Sequence, residues 1–122
     1  MPIKHKRNDC DFGCPVEASL AVVGGKWKGV ILYHLFDGTK RFNELMRLMP
    51  DITQRMLTRQ LRELEADCVI VRKIYPEVPP KVEYSLSEFG MSLEPILKSL
   101  QLWGIEYLTR ITNIRKQQAK NK

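Results

Sequence analysis

The segment from Thr53 to Ala66 restricts the fold of this chain more than any other stretch. It reads T-Q-R-M-L-T-R-Q-L-R-E-L-E-A, and its leucines recur at the i, i+4, i+7 spacing of one helix face: Leu57, Leu61 and Leu64. Its arginines fall together on the opposite side: Arg55, Arg59 and Arg62. Thr53 is a favourable N-cap after the turn-forming pair Pro50-Asp51. The segment therefore predicts a helix with one face against a core and a cationic face turned outward.

The cationic face of this helix has two interpretations. A helix face is often charged merely because water solvates it, but such a face usually mixes both signs. Here the acidic residues Glu63 and Glu65 come only near the end of the segment. Arginine can pair bidentately with guanine edges and can also hold phosphates. The pattern therefore favours a DNA recognition helix over a solvated face without a ligand.

The composition of the chain favours one compact domain with a polyanionic partner. Its 122 residues include 20 Lys and Arg against 14 acidic residues, a formal net charge of +6. Such an excess favours nucleic acid or an anionic membrane surface. Residues 39–62 carry six basic and two acidic side chains, whereas residues 110–122 carry five basic side chains and no acid. The first cluster lies on predicted structure, and the second is expected to form a tail.

Neither an export signal nor a membrane span is expected. The basic N-terminus lacks the apolar region of a secretory signal, and no apolar run approaches the length of a membrane-spanning helix. The cysteines make an odd count: Cys10, Cys14 and Cys68. We interpret them as reduced thiols of a cytoplasmic protein rather than as a disulfide framework.

Three shorter helices are predicted before the arginine-faced helix. The first begins at Pro15, a favoured first helical residue, and ends at Gly24-Gly25. The second runs from Lys26 to Phe36, and the third is closed by Pro50. The apolar positions expected to face the core from the second and third helices are Trp27, Val30, Ile31, Leu35, Phe42, Leu45, Leu48 and Met49.

The pattern changes from helix to strand after the arginine-faced helix. Residues 69–75 are rich in β-branched side chains, and residues 76–80 contain three prolines. In residues 81–86, apolar or aromatic side chains alternate with polar ones. These features predict a hairpin with a proline-rich tip.

Ser87 can cap a final helix that runs to Ile111, which Pro95 should kink or divide. Two helices joined by a turn and followed by a hairpin are the pattern of a winged helix-turn-helix.

Four stretches make this pattern specific. They are G-G-K-W from Gly24, T-K-R-F-N-E-L from Thr39, I-T-Q-R-M-L-T-R-Q-L-R-E-L-E from Ile52 and Y-P-E-V-P-P-K-V-E-Y from Tyr75. Together they resemble the HxlR-type winged helix-turn-helix regulators of the MarR-like superfamily, over residues 14–107. The resemblance implies a mostly α fold with a small β-hairpin wing. It also implies a homodimeric transcriptional regulator that binds an inverted-repeat operator in double-stranded DNA.

Candidate DNA contacts follow from this architecture. The first turns of a recognition helix lie nearest the base edges, and the wing is expected near the flanking backbone. The residues expected to contact DNA are Lys40, Arg41, Thr53, Gln54, Arg55, Thr58, Arg59, Arg62, Lys73 and Lys81. The chain departs from the family at Cys68, where glycine is usual, and at Lys28, where a small hydroxylic residue is commoner. Neither departure is expected to touch the DNA face, although the position of Cys68 is expected to need positive φ.

Cys14 is a candidate sensor of oxidants or electrophiles. A thiol at a helix N-terminus lies near the positive end of the helix dipole, which favours the reactive thiolate. Some regulators of the HxlR type sense such compounds through a cysteine in this position, directly before Pro15. The alternative is a small, partly buried residue with no signalling role. Cys10 could resolve an oxidised Cys14 or simply be exposed.

Metal, cofactor and enzyme functions have little support in the sequence. The candidate zinc ligands lack paired spacing: His5, Cys10, Cys14 and His34. No glycine-rich phosphate loop and no set of nucleophile, base and acid is found. No cofactor, metal or catalytic site is therefore expected.

The C-terminal helix is expected to mediate dimerisation. Its apolar surface exceeds what a small domain needs, and the residues singled out are Leu100, Trp103 and Tyr107. The alternative is that this helix merely closes the core of the monomer. The predicted organisation is a flexible arm at residues 1–13, a DNA-binding domain with dimerisation helices at 14–107, and a basic helix end and tail at 108–122.

The function predicted is sequence-specific regulation of transcription, with repression as the expected outcome because no activation surface is evident. One alternative is a winged-helix module that binds an acidic protein through the basic face. Another is a thiol-dependent enzyme that uses Cys14, which the lack of a nearby base disfavours. Salt-dependent binding to promoter DNA distinguishes the first from both.

Overall fold

A computed structural model describes residues 7–8, 11–12 and 14–121 of the chain. Its helices and strands, in chain order, are β1 (Arg7–Asn8), β2 (Asp11–Phe12), α1 (Pro15–Val23), α2 (Lys28–Leu35), β3 (Lys40–Arg41), α3 (Phe42–Leu48), α4 (Gln54–Ala66), β4 (Ile70–Tyr75), β5 (Lys81–Leu86), α5 (Glu88–Met91) and α6 (Glu94–Lys120). The chain forms two compact units, which divide between Met91 and Ser92. The predicted fold class, mostly α with a small β-hairpin wing, is confirmed.

Helix α4 forms as its sequence predicts. The Thr53 hydroxyl accepts a hydrogen bond of 3.0 Å from the Met56 backbone N–H, so one of the free amides at the helix start is satisfied. The leucine stripe is buried, with exposed fractions of 0%, 2% and 0% for Leu57, Leu61 and Leu64. This stripe fixes which side of α4 faces the core and leaves the arginines outside.

The faces of α2 and α3 differ in part from the expectation. Helix α2 begins at Lys28 rather than Lys26, and it buries Leu32 together with Ile31 and Leu35, whereas Val30 is 42% exposed. Apolar side chains surround most of α2, so its sequence does not specify one face. In α3, Leu45 is buried, as is Met49 just after it, but Leu48 is 45% exposed.

The wing is part of a three-stranded antiparallel sheet with the order β3-β5-β4. The hairpin of β4 and β5 is confirmed, with Ile70 opposite Leu86 and Tyr75 opposite Lys81. Strand β3 was not predicted, because two residues are too few to show a pattern. It places Lys40 opposite Tyr84 and Arg41 opposite Glu83. The basic residues ahead of α3 therefore lie in the same sheet as the wing.

The turn after α4 contains a residue in the left-handed region. Cys68 has φ +66°, the conformation anticipated from its position, and its side chain is exposed. Ser87 closes this turn, because its hydroxyl donates to the Cys68 carbonyl at 2.7 Å and accepts from the Gly90 N–H at 2.9 Å. The second bond makes Ser87 the predicted cap of the helix that follows.

Replacement of Cys68 by glycine is expected to stabilise the protein. A side chain at positive φ costs about 1 kcal/mol or more, and glycine avoids this cost. The free energy of unfolding in urea should rise by about 1 kcal/mol in Cys68→Gly. Cys68→Ala is the matched control, because it keeps a Cβ atom at the same φ and should show no such gain. Equal stability of the two variants would contradict this account.

The C-terminal unit consists chiefly of α6. The helix predicted after Ser87 is divided, as expected, because α5 ends at Met91 and Pro95 lies in the first turn of α6. Helix α6 continues to Lys120, beyond the predicted end at Ile111, so the basic residues from Arg110 to Lys120 are helical. No helix among the described residues is long and apolar enough to cross a membrane.

Candidate DNA interface

The outer face of α4 is an open, mainly cationic surface. The side chains of Gln54, Arg55, Arg59 and Arg62 are exposed, and Thr53 is exposed at the helix start. Thr58 is half-buried, and its hydroxyl donates to the Gln54 carbonyl at 2.9 Å, so its oxygen remains able to accept. One shallow depression runs along this face, lined by Gln54, Arg55, Thr58, Arg59, Arg62 and Glu63. The predicted contacts on α4 therefore share one surface.

An acidic residue lies within this surface. Glu63 Oε1 is 3.5 Å from Arg59 Nε, and Glu63 Oε2 is 2.9 Å from Lys28 Nζ. The hydrogen bond from Lys28 holds the pKa of the Glu63 carboxyl below its ordinary value, and Arg59 adds to the effect. The sequence placed Glu63 beyond the arginine surface, but the i, i+4 spacing brings it against Arg59.

Lys28 does not line the arginine face, so the expectation that it lies away from DNA stays a prediction, but it contacts a residue that does line that face. Lys28 belongs to α2, yet its ammonium group forms an ion pair with Glu63 of α4. No periodicity within one helix reveals this contact, because it joins side chains 35 positions apart in the chain. The arginine face of α4 is therefore linked to α2 through Glu63.

A cleft between α4 and the sheet contains further basic residues. It is lined by Phe42, Gln54, Thr58, Leu61, Arg62, Glu65, Arg72 and Tyr84. Arg72 of β4 pairs with Glu65 of α4 at 3.4 Å, so the strand and the helix are linked by charge. Burial raises the pKa of the Tyr84 hydroxyl, which keeps it protonated and able to donate. Arg72 was not predicted as a site residue, although it is adjacent to Lys73 in sequence.

The two predicted wing lysines converge on one aromatic ring. Lys73 Nζ and Lys81 Nζ lie 4.8 Å and 4.7 Å from the centre of the Tyr75 ring, within the range of cation–π attraction. The Tyr75 hydroxyl donates to Glu83 and lowers the pKa of that carboxyl. Lys81 adds to this effect, with Nζ 3.7 Å from Glu83 Oε2. The Tyr75 ring therefore holds the ammonium groups of both lysines close together, next to the hairpin tip.

A groove joins the wing to α3. It brings Arg41 and Lys81, both predicted contacts, together with Arg47, which was not predicted. Arg47 lies in the basic stretch of residues 39–62, and that cluster was the available signal. Lys40 is half-buried in β3 beside this group. The basic residues of α3, β3 and the wing thus share one side of the first unit with acidic Glu44 and Glu77.

Cys14 is the N-cap residue of α1, as its position before Pro15 predicts. It is half-buried, and its carbonyl accepts from the Ala18 N–H at 2.9 Å. His34, considered as a metal ligand, packs its ring edge-on against Tyr33. Among the described residues, no three His, Cys, Asp or Glu side chains could together hold a metal ion. His5 and Cys10 lie outside the described residues.

The three predicted dimerisation residues are exposed on α6. Leu100 is 53% exposed, Trp103 68% and Tyr107 46%. The rings of Trp103 and Tyr107 are stacked, with centroids 5.5 Å apart and an interplanar angle of 9°. Further apolar side chains are exposed along the same helix: Ile96, Leu102, Ile105, Leu108 and Ile114. Helix α6 therefore carries a long apolar surface that water contacts in the isolated chain.

A wing beside an arginine-faced, N-capped helix defines the fold as a winged helix-turn-helix. Residues 22–112 match the family model described as HxlR-like helix-turn-helix, and the chain belongs to that family. It is 62% identical to the HTH-type transcriptional regulator YdeP of Bacillus subtilis strain 168, over 93% of this chain and 88% of that protein.

Solved structures agree with this assignment. The redox regulator HypR in its reduced form is 57% identical, with a TM-score of 0.79 over 82% of this chain and 99% of that chain. The reduced form of the transcriptional regulator YodB from B. subtilis is 40% identical, with a TM-score of 0.67 over 74% of this chain and 89% of that chain. By family, the protein is therefore a DNA-binding regulator. The two similar structures, those of HypR and YodB, are both described as reduced forms.

Proposed function

We propose that this protein is a homodimeric repressor that reads an inverted-repeat operator through α4. The observation that carries the proposal is the outward set of Arg55, Arg59 and Arg62 on a helix whose other face is fully buried. Arg55 and Arg59, with Gln54 and Thr58, occupy the first turns, which lie nearest the base edges in a major groove. Arg62 lies further along and is assigned to a phosphate. Its site of action is the cytoplasm.

The wing and its surroundings hold the flanking backbone in this proposal. Lys73 and Lys81 stand at the hairpin, while Lys40 and Arg41 stand on the neighbouring strand. Contacts of lysine and arginine with phosphates fix the position of a protein on the duplex but carry no sequence information. These four residues therefore contribute affinity, and the first turns of α4 contribute specificity.

Dimerisation follows from the geometry of an inverted repeat. Such an operator requires two recognition helices related by a two-fold axis and spaced by about 34 Å, one DNA turn, or a multiple of it. The exposed apolar surface of α6 around Leu100, Trp103 and Tyr107 supports this assembly. Helix α1 adds the exposed side chains of Val16 and Leu20.

We further propose that Cys14 senses oxidants or electrophiles. The support is its place as the N-cap residue of α1, together with the similarity of the chain to a protein named as a redox regulator. Modification of the thiol adds bulk or a cross-link at a helix that we place near the dimer interface. A small rotation there changes the spacing of the two α4 helices, and base contacts tolerate little displacement.

Substitution of Arg59 tests the assignment of the recognition face. A duplex selected from a random library by the wild-type protein serves as the operator. Arg59→Ala should bind it more weakly by about 1–3 kcal/mol and discriminate less between it and altered half-sites. Arg62→Ala should instead weaken binding to all sequences about equally.

Titration of labelled duplexes provides the measurement, and Arg110→Ala is the control. Arg110 is an exposed arginine of α6 that pairs with Glu106 at 2.8 Å, so its loss removes the same charge from a different helix. Unchanged operator affinity of Arg59→Ala would show that the recognition face lies elsewhere.

A further inference from the structure

Lys28 is a largely enclosed cation that links three helices. It is the first residue of α2, and its side chain is 14% exposed. The ammonium group donates to the Ala21 carbonyl of α1 at 3.4 Å and pairs with Glu63 of α4 at 2.9 Å. Because these contacts come from two different helices, they hold the charge of Lys28 in one place.

Glu63 divides its carboxylate between this enclosed cation and an exposed one. Oε2 pairs with Lys28 at 2.9 Å, whereas Oε1 lies 3.5 Å from Nε of Arg59, whose side chain is 71% exposed. The attraction to Lys28 is stronger, because the distance is shorter and Lys28 is far less exposed to water and salt than Arg59 is. The contact with Arg59 is long and exposed, so it is weak.

We propose that Lys28 is a positioning residue for DNA recognition, because it neutralises Glu63 and so leaves Arg59 available to the duplex. The inference rests on the function proposed above. When Arg59 turns toward a guanine edge or a phosphate, its contact with Glu63 is lost, and Lys28 remains to balance the carboxylate. Without Lys28, that carboxylate would retain Arg59 and would place an unbalanced negative charge beside the DNA.

The test compares the DNA affinities of five variants with that of the wild-type protein on the selected duplex. Lys28→Met should bind about tenfold more weakly, within the range for loss of one arginine contact. Lys26→Met is the matched control: Lys26 is exposed, two positions away, and lies over the Trp27 ring rather than beside Glu63. It should change affinity by less than about threefold, as the loss of one distant surface charge does.

Restoration of binding distinguishes positioning from a general loss of stability. Lys28→Arg keeps the cation and should bind within about threefold of the wild type. The double variant Lys28→Met/Glu63→Gln removes the unbalanced carboxylate and should recover most of the lost affinity. The slope of log Kd against log salt should also fall by about one unit in Lys28→Met and return in the double variant.

Glu63→Gln alone keeps the proposal testable even where Lys28→Met folds poorly. Positioning predicts that this variant binds DNA at least as tightly as the wild type, because Arg59 is freed and Lys28 stays. A merely structural ion pair predicts weaker binding and a lower melting temperature. Equal affinities of Lys28→Met and Lys26→Met, or weaker binding by Glu63→Gln, would overturn this inference but would leave the proposed function standing. A wild-type protein that prefers no duplex sequence would overturn the proposed function and the inference with it.

Discussion

Replacement of Trp103 by glutamate is expected to produce a folded monomer that no longer holds the operator. Trp103 is 68% exposed in the isolated chain and lies between Leu100 and Tyr107 on α6. A carboxylate in an apolar interface must lose water without gaining a partner, so association becomes unfavourable. One protomer reaches one half-site, and loss of the linked second half-site should weaken operator binding at least about 100-fold.

Light scattering and operator titration on the same preparation measure this effect. Thr112→Glu is the control, because it adds the same charge to an exposed residue of α6 on the side opposite Trp103. The control should remain dimeric and bind as the wild type does. A stable dimer of Trp103→Glu would place the interface elsewhere, whereas a monomer with full operator affinity would contradict the need for two-fold symmetry.

Diamide is expected to release the wild-type protein from its operator, with a loss of affinity of about tenfold or more, within the usual range of coupling between two sites. Diamide accepts the two electrons and two protons that two thiols release when they form a disulfide, here Cys14 with Cys10 or with the same thiol of a second copy of the chain. Cys14→Ser should bind the operator as the wild type does and should ignore the oxidant.

Cys68→Ser is the matched control for this response. Cys68 is, like Cys14, a free thiol, but it is exposed and lies in the turn after α4 rather than at the start of α1. This variant should keep the full response to diamide. Oxidant-dependent release by Cys14→Ser would remove the sensing role and leave a DNA-binding regulator without this switch.

The parts of the fold that the sequence predicted most closely are those in which one local pattern dominates. In α4 the leucine stripe, the arginine face and the Thr53 cap all indicate the same helix, and the structure confirms its start and its buried face. The hairpin is equally clear, because β-branched residues and prolines divide it into two strands and a tip. Pro95 likewise predicted the division between α5 and α6.

The parts that the sequence did not predict depend on contacts between distant residues. The prediction of the buried face of α2 was partly wrong, because apolar residues surround that helix. Packing against the rest of the protein decides that Leu32 is buried and Val30 is exposed. Strand β3 exists because β5 supplies its hydrogen-bond partners, and two residues carry no pattern of their own. The pairing of Lys28 with Glu63 joins two helices, so no helical period within either segment indicates it.

The candidate interface shows the same division. The arginines of α4 were predicted as contacts because they share a helix face, and the structure places them on one open surface. The sequence did not predict the contact of Glu63 with Arg59 or its ion pair with Lys28, which comes from another helix. Arg47 and Arg72 were missed because the groove and the cleft that contain them form only when the helices meet the sheet.

Guanine footprinting with dimethyl sulfate on the selected duplex tests the central claim most directly. The reagent methylates guanine N7 in the major groove, where arginine binds when it reads guanine. If α4 reads DNA as proposed, the wild-type protein should protect guanines in two inverted half-sites whose centres lie about 10–10.5 base pairs, or a multiple of that, apart. Arg59→Ala should lose protection at a guanine in each half-site. Uniform methylation along a duplex that the protein nevertheless covers would contradict recognition through the major groove.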